Sequence, residues 1–416
     1  MGSESGLDAR ETAERVARRS YGKLVAFLAA STGDVARAED ALSEAFAAAL
    51  SDWPVNGTPA NPEGWLMAVA KRKNIDMARR RKTADSAGDH LKLLMGEIGA
   101  AAPETEIHDE RLALMFACAH PAIDPAIRAP LILQTLLGFD AATIASAFLV
   151  SPAAMGQRLT RAKQKIKDAG IPFHIPDRAD LPDRLDAVLA AIYAAFAEGW
   201  PDAAGTDSGR RNLAEEALFL GRLVAALLPH EAEVLGLLAL MLHCEARRAA
   251  RRATDGAYIP LADQDTVQWN TQAIEEAERL LLEASRLSAP GRYQIEAAVQ
   301  SAHAVKRLTG RADWEAIAKL YDALAALSDS PVVAVNRAVA LAEVHGADAG
   351  VRALDALADD ERLRRYQPYW AACADLLARA GKRDAANEAY EQAIGLERDP
   401  AVRAFLQKRQ AALRPK

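Results

Sequence analysis

The chain has 416 residues, half of them hydrophobic, and 51 Lys and Arg stand against 57 Asp and Glu, for a net charge of −6. This length allows a large buried core divided over about two to four domains, and the acidic balance excludes a protein that coats nucleic acid uniformly. The three cysteines are far apart and odd in number, which indicates no disulfide framework and is consistent with a reducing compartment.

The hydrophobic pattern is helical throughout the chain. Alanine dominates, β-branched runs are scarce, and Gly and Pro do not recur at strand spacing. We therefore predict an all-α fold in which two small helical domains precede a large helical array. No stretch approaches the roughly 18 uncharged apolar residues of a membrane span, and the first residues carry no apolar signal segment. We expect a cytoplasmic protein with no membrane partner.

Residues 9–30 and 35–52 predict two amphipathic helices that are joined by a short polar turn. In the second helix Asp40 and Glu44 lie one turn apart and away from much of the apolar face. Paired carboxylates can carry acid–base chemistry, but no nucleophile or histidine lies nearby in the sequence. The pair therefore favours a face that docks on another protein.

A loop rich in Pro, Gly and Asn covers residues 53–62, and a basic helix follows over 63–82. Within residues 65–82 seven basic residues stand against one acidic residue, so the local charge is +6. The loop that begins at Trp53 can cup or stack on an unpaired base. Three helix residues share a stripe that combines phosphate-binding cations with an amide able to read a base edge: Lys71, Asn74 and Arg81. The alternative is a basic helix end that only complements the helix dipole.

Composition divides the chain into three predicted domains. Residues 86–108 are rich in small and acidic residues and predict a linker, which separates a first domain over 1–85 from a second over 109–172. A longer helical region fills residues 181–416. There three glycines, each soon followed by Asp, recur 36 and 35 residues apart: Gly310, Gly346 and Gly381. This spacing is typical of tetratricopeptide-like helix pairs, although a helical array without a ligand fits it as well.

The second domain contains a predicted helix-turn-helix over residues 138–168. Asp140 can cap its first helix, and Ser151 followed by Pro152 is a strong start signal for its second. In that second helix two faces separate at helical spacing. The apolar face is Met155, Leu159, Ala162 and Ile166, and the basic stripe is Arg158, Arg161 and Lys165. Such a helix can bury one side and place the other in the major groove of DNA, but an ordinary hairpin with a solvated basic face is the alternative.

A second arginine-rich segment, residues 246–252, contains four arginines within the long C-terminal region. Its readings are a solvated face, internal salt-bridge partners, or a nucleic-acid contact, and the sequence leaves all three open.

Taken in order, these segments resemble RNA polymerase sigma factors of the extracytoplasmic-function (ECF) type, within the sigma-70 family. EDALSEAF at 39–46 looks like the segment that docks on the polymerase clamp, and GWLMAVAKRKNIDMARRR at 64–81 looks like the reader of the −10 element. Residues 125–168, with the pattern RLTRAK at 158–163, look like the reader of the −35 element. The C-terminal region is similar to that of the subgroup with a tetratricopeptide-like extension.

The resemblance implies a sigma factor that binds core RNA polymerase, at its β′ clamp and β flap, together with promoter DNA. It implies neither catalytic residues nor a cofactor or metal, so we expect no enzyme. In this subgroup the extension takes the place of a separate anti-sigma partner, and we expect it to regulate the first two domains, by contact with them or by receiving a signal. The polymerase-binding residues implied are Asp40, Glu44 and Phe46. Those for the −10 element are Trp53, Asn56, Trp65, Lys71, Arg72, Asn74, Arg79, Arg80 and Arg81. Those for the −35 element are Ala154, Gln157, Arg158, Arg161 and Lys165.

Two departures from the family pattern concern the −35 reader. Leu149 stands where Gly often occupies the turn, and Gly156-Gln157 stand where a Lys-Ser pair is common. They leave the preferred −35 sequence open, and Gln157 can itself pair with adenine. A helix-turn-helix activator with a helical sensor domain, and a helical scaffold without DNA contact, remain the rival functions. The acidic 38–46 helix discriminates, because only a sigma factor needs it to bind polymerase.

Overall fold

The computed structural model describes residues 2–84, 109–148, 150–177, 179–200, 208–287 and 290–413. Over these ranges the chain forms helices joined by loops, with no strand, which confirms the predicted all-α fold. The helices form two compact units. The first contains the chain up to Gly199 and residues 208–220, and the second contains Trp200 and the chain from Gly221 onward. Among the described helices none is long and apolar enough to cross a bilayer.

Within its described residues, the first unit contains eight α-helices and the start of a ninth. These are α1 (Gly2–Thr32), α2 (Val35–Asn56), α3 (Pro62–Ala84), α4 (Arg111–Cys118), α5 (Pro125–Leu137), α6 (Ala141–Ala147), α7 (Pro152–Asp168), α8 (Pro182–Gly199) and the beginning of α9 (Ser208–Leu227). The predicted boundaries at 172 and 181 therefore do not coincide with the unit boundary, because α8 packs on α4 and α5.

Helices α1, α2 and α3 pack around a core of large side chains that are fully buried, including Leu24, Leu28, Leu42 and Leu66. Helix α1 also packs on α4 and α5, and the absence of a side chain at Gly22 allows this close approach. A Cβ at that position would lie 2.3 Å from the Leu136 carbonyl oxygen. The predicted first and second domains are thus packed together in one unit.

Helix α2 is longer than predicted. It continues through Pro54 to Asn56, where the sequence predicts a loop from residue 53, and the Gly57 N–H closes its last turn on the Trp53 carbonyl at 3.0 Å. The reason is the indole of Trp53, which is 1% exposed and packs edge-on against Trp65 at 5.5 Å between ring centroids. This packing stabilises the extra turn despite the proline.

In the part of the second unit that the structure describes, the end of α9 is followed by ten further α-helices and four short 3-10 helices. The α-helices are α10 (Ala232–Ala246), α11 (Thr271–Arg286), α12 (Arg292–Ala304), α13 (Lys306–Thr309), α14 (Trp314–Leu327), α15 (Pro331–His345), α16 (Ala347–Asp355), α17 (Gln367–Arg379), α18 (Arg383–Leu396) and α19 (Pro400–Ala411).

Neighbouring helices of this unit pack in sequence order from α14 to α19. The three predicted repeat glycines, Gly310, Gly346 and Gly381, all have a positive φ (79°, 88° and 75°) and all lie where one helix ends before the next begins. Their recurrence therefore marks a recurring turn. Helix α10 contacts α12 closely at Gly236, where a Cβ would lie 2.5 Å from the Gln294 nitrogen.

Candidate nucleic-acid and polymerase interfaces

Helix α7 is amphipathic, and its N-terminus is capped as predicted. The Ser151 hydroxyl accepts from the Ala154 N–H at 3.3 Å, and Pro152 occupies the first helical position. The predicted apolar face is buried, which confirms it: Met155, Leu159, Ala162 and Ile166. The basic stripe is exposed along its whole length: Arg158, Arg161 and Lys165. The helix therefore has one side in the core and one free cationic side.

The preceding helix α6 is short and begins at the predicted cap. The Asp140 carboxylate accepts from the N–H groups of Ala142 and Thr143, both at 2.8 Å. Ile144 and Ala145 are buried, and α6 packs directly on α7. Leu149, in the connection between the two helices, lies outside the described residues.

A groove of about 650 Å³ runs beside the basic stripe of α7. One wall is formed by Arg158, Arg161, Ala162 and Lys165, and the other by the turn that leads into α5, at residues 122–127. Its acidic residue is Asp124, whose carboxylate caps α5 by accepting from the Ala126 N–H at 3.0 Å. Three cations therefore face a single carboxylate that a helix cap already uses, so the groove is suited to an anionic strand.

Two predicted base-reading positions lie at the start of α7. Gln157 is exposed and Ala154 is half-buried. Gly156 lies between them, and a Cβ built there would meet nothing within 4 Å. Packing therefore does not require this glycine, although it costs about 1 kcal/mol of helix stability relative to Ala. The surface around it is open to a close-approaching ligand.

The flank of α7 opposite the groove contacts α2 through two ion pairs. Lys163 Nζ lies 2.6 Å from Glu39 Oε2, and Lys167 Nζ lies 3.0 Å from Asp34 Oδ2. Burial raises the pKa of Glu39, although Lys163 opposes the shift. Burial acts to raise the pKa of Asp34 as well, but hydrogen bonds from the Arg37 N–H and from Lys167 outweigh it and lower this pKa below its usual range. The cations of α7 are thus divided between a bound flank and a free stripe.

Helix α2 contains all three residues implied in polymerase binding, and Asp40 and Glu44 lie one turn apart on one face of it. Asp40 and Glu44 are exposed, and Phe46 is half-buried. Glu44 Oε2 lies 2.9 Å from Lys73 Nζ on α3, a pair in which both side chains are about half exposed. Solvent-exposed pairs of this kind contribute little to stability, so Glu44 is available to a partner.

Helix α3 presents only part of the predicted −10 reader. Lys71 and Arg72 are exposed, with the Lys71 ammonium 5.0 Å from the centre of the Phe27 ring, and Trp65 is half-buried. Asn56, at the end of α2, is exposed and donates to Asp52 at 2.7 Å. The helix backbone continues through the remaining predicted positions, whose side chains lie outside the described residues: Arg79, Arg80 and Arg81.

Two predicted base-contacting residues are corrected by the structure. Trp53 is buried against Trp65 and presents no ring face to a base. Asn74 is 6% exposed, and Arg37 on α2 donates to its side-chain oxygen at 3.0 Å and also to its carbonyl oxygen. Arg37 therefore uses Asn74 to join α2 to α3, and the amide is not free to read a base edge.

The sequence did not reveal the long-range ion pairs of the first unit. The Arg111 guanidinium pairs with Asp109 at 2.6 Å and with Glu216, 105 residues later, and it stacks over Phe219 at 4.4 Å. Glu39 and Lys163 are 124 residues apart. Helical periodicity carries no information about such partners.

The arginine-rich segment 246–252 is internal in the second unit. Arg248 pairs with Glu245 at 3.4 Å, and Arg252 pairs with Asp399, which also caps α19. Arg247 and Arg248 are less than 10% exposed. For Arg248 and Arg252, these contacts favour internal salt bridges among the three alternatives that the sequence leaves open.

Comparison with family models identifies the class of protein. The model of sigma-70 region 2 matches residues 16–84, which form the C-terminal half of α1 and all of α2 and α3. A model described as a family of unknown function, DUF6596, matches residues 184–285. The chain therefore carries a sigma-70 region 2 domain at its N-terminus, which supports a sigma-70 family factor with a role in transcription initiation.

The chain belongs to the same family as an uncharacterized protein, R00370, of Rhizobium meliloti (strain 1021). The two are 38% identical over 374 residues, which cover 89% of this chain and 88% of that protein. The similarity therefore extends through both compact units. No solved structure matches the chain.

Proposed function

We propose that this protein is a sigma factor of the ECF type, whose α2 docks on core RNA polymerase and whose α3 and α7 read the two promoter elements. The observation that carries the proposal is the placement of charge in the first unit. The exposed carboxylates Asp40 and Glu44 lie on a helix of the sigma-70 region 2 match, and the free cationic stripe of α7 lies on a separate helix. This arrangement supplies one protein-docking face and one DNA-binding face.

In this proposal α7 is the recognition helix of a helix-turn-helix. Arg158, Arg161 and Lys165 hold the phosphate backbone along the groove beside α7, while Gln157 and Ala154 face the base edges. The corrected −10 surface consists of Trp65, Lys71 and Arg72 on α3, with Asn56 at the end of α2. We keep Arg79, Arg80 and Arg81 in this surface on the strength of the family resemblance.

The contact between α2 and α7 has a consequence for promoter binding. While Lys163 and Lys167 are bound to α2, α7 is adjacent to the region 2 helices, whereas the two promoter elements lie apart along the duplex. The 23 residues of the predicted linker, 86–108, span up to about 80 Å when fully extended. We propose that the α2–α7 contact opens when both elements are bound.

Regulation by the second unit remains part of the proposal, as the family resemblance implies. The DUF6596 match begins on α8 and ends on α11, so this family region overlaps both compact units. The chain order, with region 2 first and the array of helices last, supports a factor that carries its own regulatory region.

The test is association of the purified full-length chain with core RNA polymerase at low salt, followed by size-exclusion chromatography. We expect co-elution of the wild-type chain and its loss in the double variant Asp40→Arg, Glu44→Arg, because reversed charges oppose the docking face. The matched control is Asp384→Arg, Glu388→Arg, which has the same i, i+4 spacing on exposed positions of α18. If the wild-type chain fails to associate, the sigma proposal is wrong and the activator reading is favoured.

A further inference from the structure

The N-terminal half of α2 contains more acidic residues than the proposed docking pair. Together with the N-cap they are Asp34, Glu39, Asp40 and Glu44. Lysines of α7 bind two of them. Lys163 Nζ lies 2.6 Å from Glu39 Oε2, and Lys167 Nζ lies 3.0 Å from Asp34 Oδ2. Asp40, which directly follows Glu39 in the chain, is exposed. Helix α7 therefore covers carboxylates that adjoin the docking pair.

Helical spacing places the exposed surface around Asp40 between two contacts of α2. Each residue turns the helix by about 100°. Arg37 and Glu44, which bind residues of α3, therefore lie about 140–160° round the axis from Glu39, which binds α7. Ala36 and Asp40 project between these two directions, and both are exposed. A partner that docks on Asp40 therefore lies beside α7.

The ion pair between Glu39 and Lys163 is buried but incompletely satisfied. The two side chains are 16% and 12% exposed. Glu39 Oε1 is buried and accepts no hydrogen bond from any described residue. A buried carboxylate is normally hydrogen-bonded through both oxygens, because an unpaired charged oxygen loses its hydration without replacement. A basic partner that donates to both oxygens therefore satisfies Glu39 better than α7 does.

The two helices keep their own caps when this contact opens. Asp34 accepts the Arg37 N–H through Oδ1 at 3.1 Å and binds Lys167 through Oδ2, so the cap of α2 does not depend on α7. Ser151 caps α7, whose apolar face is buried and which also packs on α5 and α6. Separation of α7 from α2 therefore leaves both helices folded.

We propose that α7 is an internal competitor for the polymerase-docking surface of α2. In the free chain the lysines of α7 occupy Glu39 and Asp34, and basic groups of core RNA polymerase replace these lysines on docking. The inference rests on the proposed sigma-factor function, and it extends the docking surface from Asp40 and Glu44 to the two covered carboxylates. Because coupling between two binding equilibria is reciprocal, docking on polymerase releases α7, and bound α7 weakens docking.

The first test measures the affinity of the full-length chain for core RNA polymerase by biolayer interferometry. Lys163→Ala combined with Lys167→Ala removes the competing cations, so we expect this variant to bind about tenfold more tightly than the wild-type chain. Lys319→Ala combined with Lys408→Ala, at exposed positions of α14 and α19, removes the same charge and is expected to bind as the wild type does. An unchanged or weaker affinity of the α7 variant, or an equal gain in the control, overturns the inference and leaves the sigma-factor proposal standing.

The second test uses the wild-type chain, so it does not depend on the folding of a variant. Acetylation of lysines by N-acetoxysuccinimide is followed by mass spectrometry, with and without excess core RNA polymerase. In the free chain we expect Lys163 to be protected, whereas the exposed Lys165 on the same helix reacts readily. In the complex we expect Lys163 to react at a rate approaching that of Lys165.

Two results of the acetylation test contradict the inference alone. One is a Lys163 that reacts as fast as Lys165 in the free chain, and the other is a Lys163 that stays protected in the complex. A wild-type chain that does not bind core enzyme is a different result, because the sigma-factor proposal is then wrong and this inference fails with it.

Discussion

The free stripe of α7 and the arginine-rich segment 246–252 contain the same residue type in opposite environments. Arg158 and Arg161 are exposed beside an open groove, whereas Arg247 and Arg248 are buried. The difference arises from packing. Helix α7 buries only its apolar face, while segment 246–252 follows the strongly apolar α10 and is covered by neighbouring parts of the second unit. Local basic charge therefore indicates a nucleic-acid surface only where one helix face remains unpacked.

The largest expected effect is on the free stripe. Arg158→Glu combined with Arg161→Glu is expected to lower the affinity of the chain for promoter DNA at least about 100-fold, because each substitution removes a phosphate or base contact and adds repulsion. Electrophoretic mobility shift at several salt concentrations measures both the affinity and the salt slope. Arg286→Glu combined with Arg352→Glu, at exposed positions of the second unit, is the charge-matched control. An equal loss of DNA affinity in the control would mean that the net charge of the chain, and not the position of the arginines, determines the affinity.

The second prediction concerns the flank of α7 that forms ion pairs with α2 through Lys163 and Lys167. Glu39→Lys leaves two ammonium groups facing each other where the Glu39 and Lys163 side chains are 16% and 12% exposed. Breaking a buried pair costs about 3 kcal/mol or more, so we expect the Tm of the first unit to fall by roughly 6–12 °C. The swapped double variant Glu39→Lys, Lys163→Glu restores a large part of the loss. If the swapped double variant has a lower Tm than Glu39→Lys alone, Glu39 and Lys163 do not form an ion pair.

Two histidines near Arg247, the buried His243 and the half-buried His303, predict a pH effect in the second unit. Burial, together with the charge of Arg247, lowers the pKa of His243 and of His303 to about 4. Glu278 lies 3.5 Å from His243 but is 45% exposed and does not offset this. The unfolded chain takes up these protons near pH 6.5, whereas the folded chain resists until about pH 4. Stability is therefore fully present above pH 6.5 and falls by up to about 1.4 kcal/mol per pH unit per histidine toward pH 4.

The measurement is the Tm of the second unit between about pH 5 and pH 7.5. His243→Gln is expected to flatten the decline, while His345→Gln, at an exposed position of α15, leaves it unchanged. An identical slope in the wild type and in His243→Gln would show that the buried imidazole is not responsible.

The smallest effect concerns Gly156 on α7. Gly156→Ala is expected to stabilise the helix by about 1 kcal/mol, because the position is helical and a Cβ meets no neighbour. If DNA approaches this surface closely, the same methyl group weakens promoter binding several-fold. Circular dichroism melting and mobility shift together measure the two effects. Greater stability with unchanged DNA affinity would place the bound DNA away from this turn.

Local features of α6 and α7 were predictable from the sequence. The caps at Asp140 and Ser151 and the separation of buried and exposed faces follow from spacings of a few residues, and the structure confirms them. Trp53 and Asn74 were assigned wrongly because their burial depends on Trp65 and Arg37, which belong to other helices. The ion pairs of Glu39 and Arg111, whose partners lie more than 100 residues away, were unpredictable for the same reason.

The most direct test of the central claim is run-off transcription with core RNA polymerase and the full-length chain on a library of genomic promoter fragments. We predict that the wild-type chain directs initiation from a restricted set of fragments. The double variant Asp40→Arg, Glu44→Arg is expected to lose these transcripts. The double variant Arg158→Glu, Arg161→Glu is expected to lose them as well. The control double variant Arg286→Glu, Arg352→Glu is expected to retain them. If core enzyme that is active with another sigma factor yields no transcript dependent on this chain, the account is contradicted.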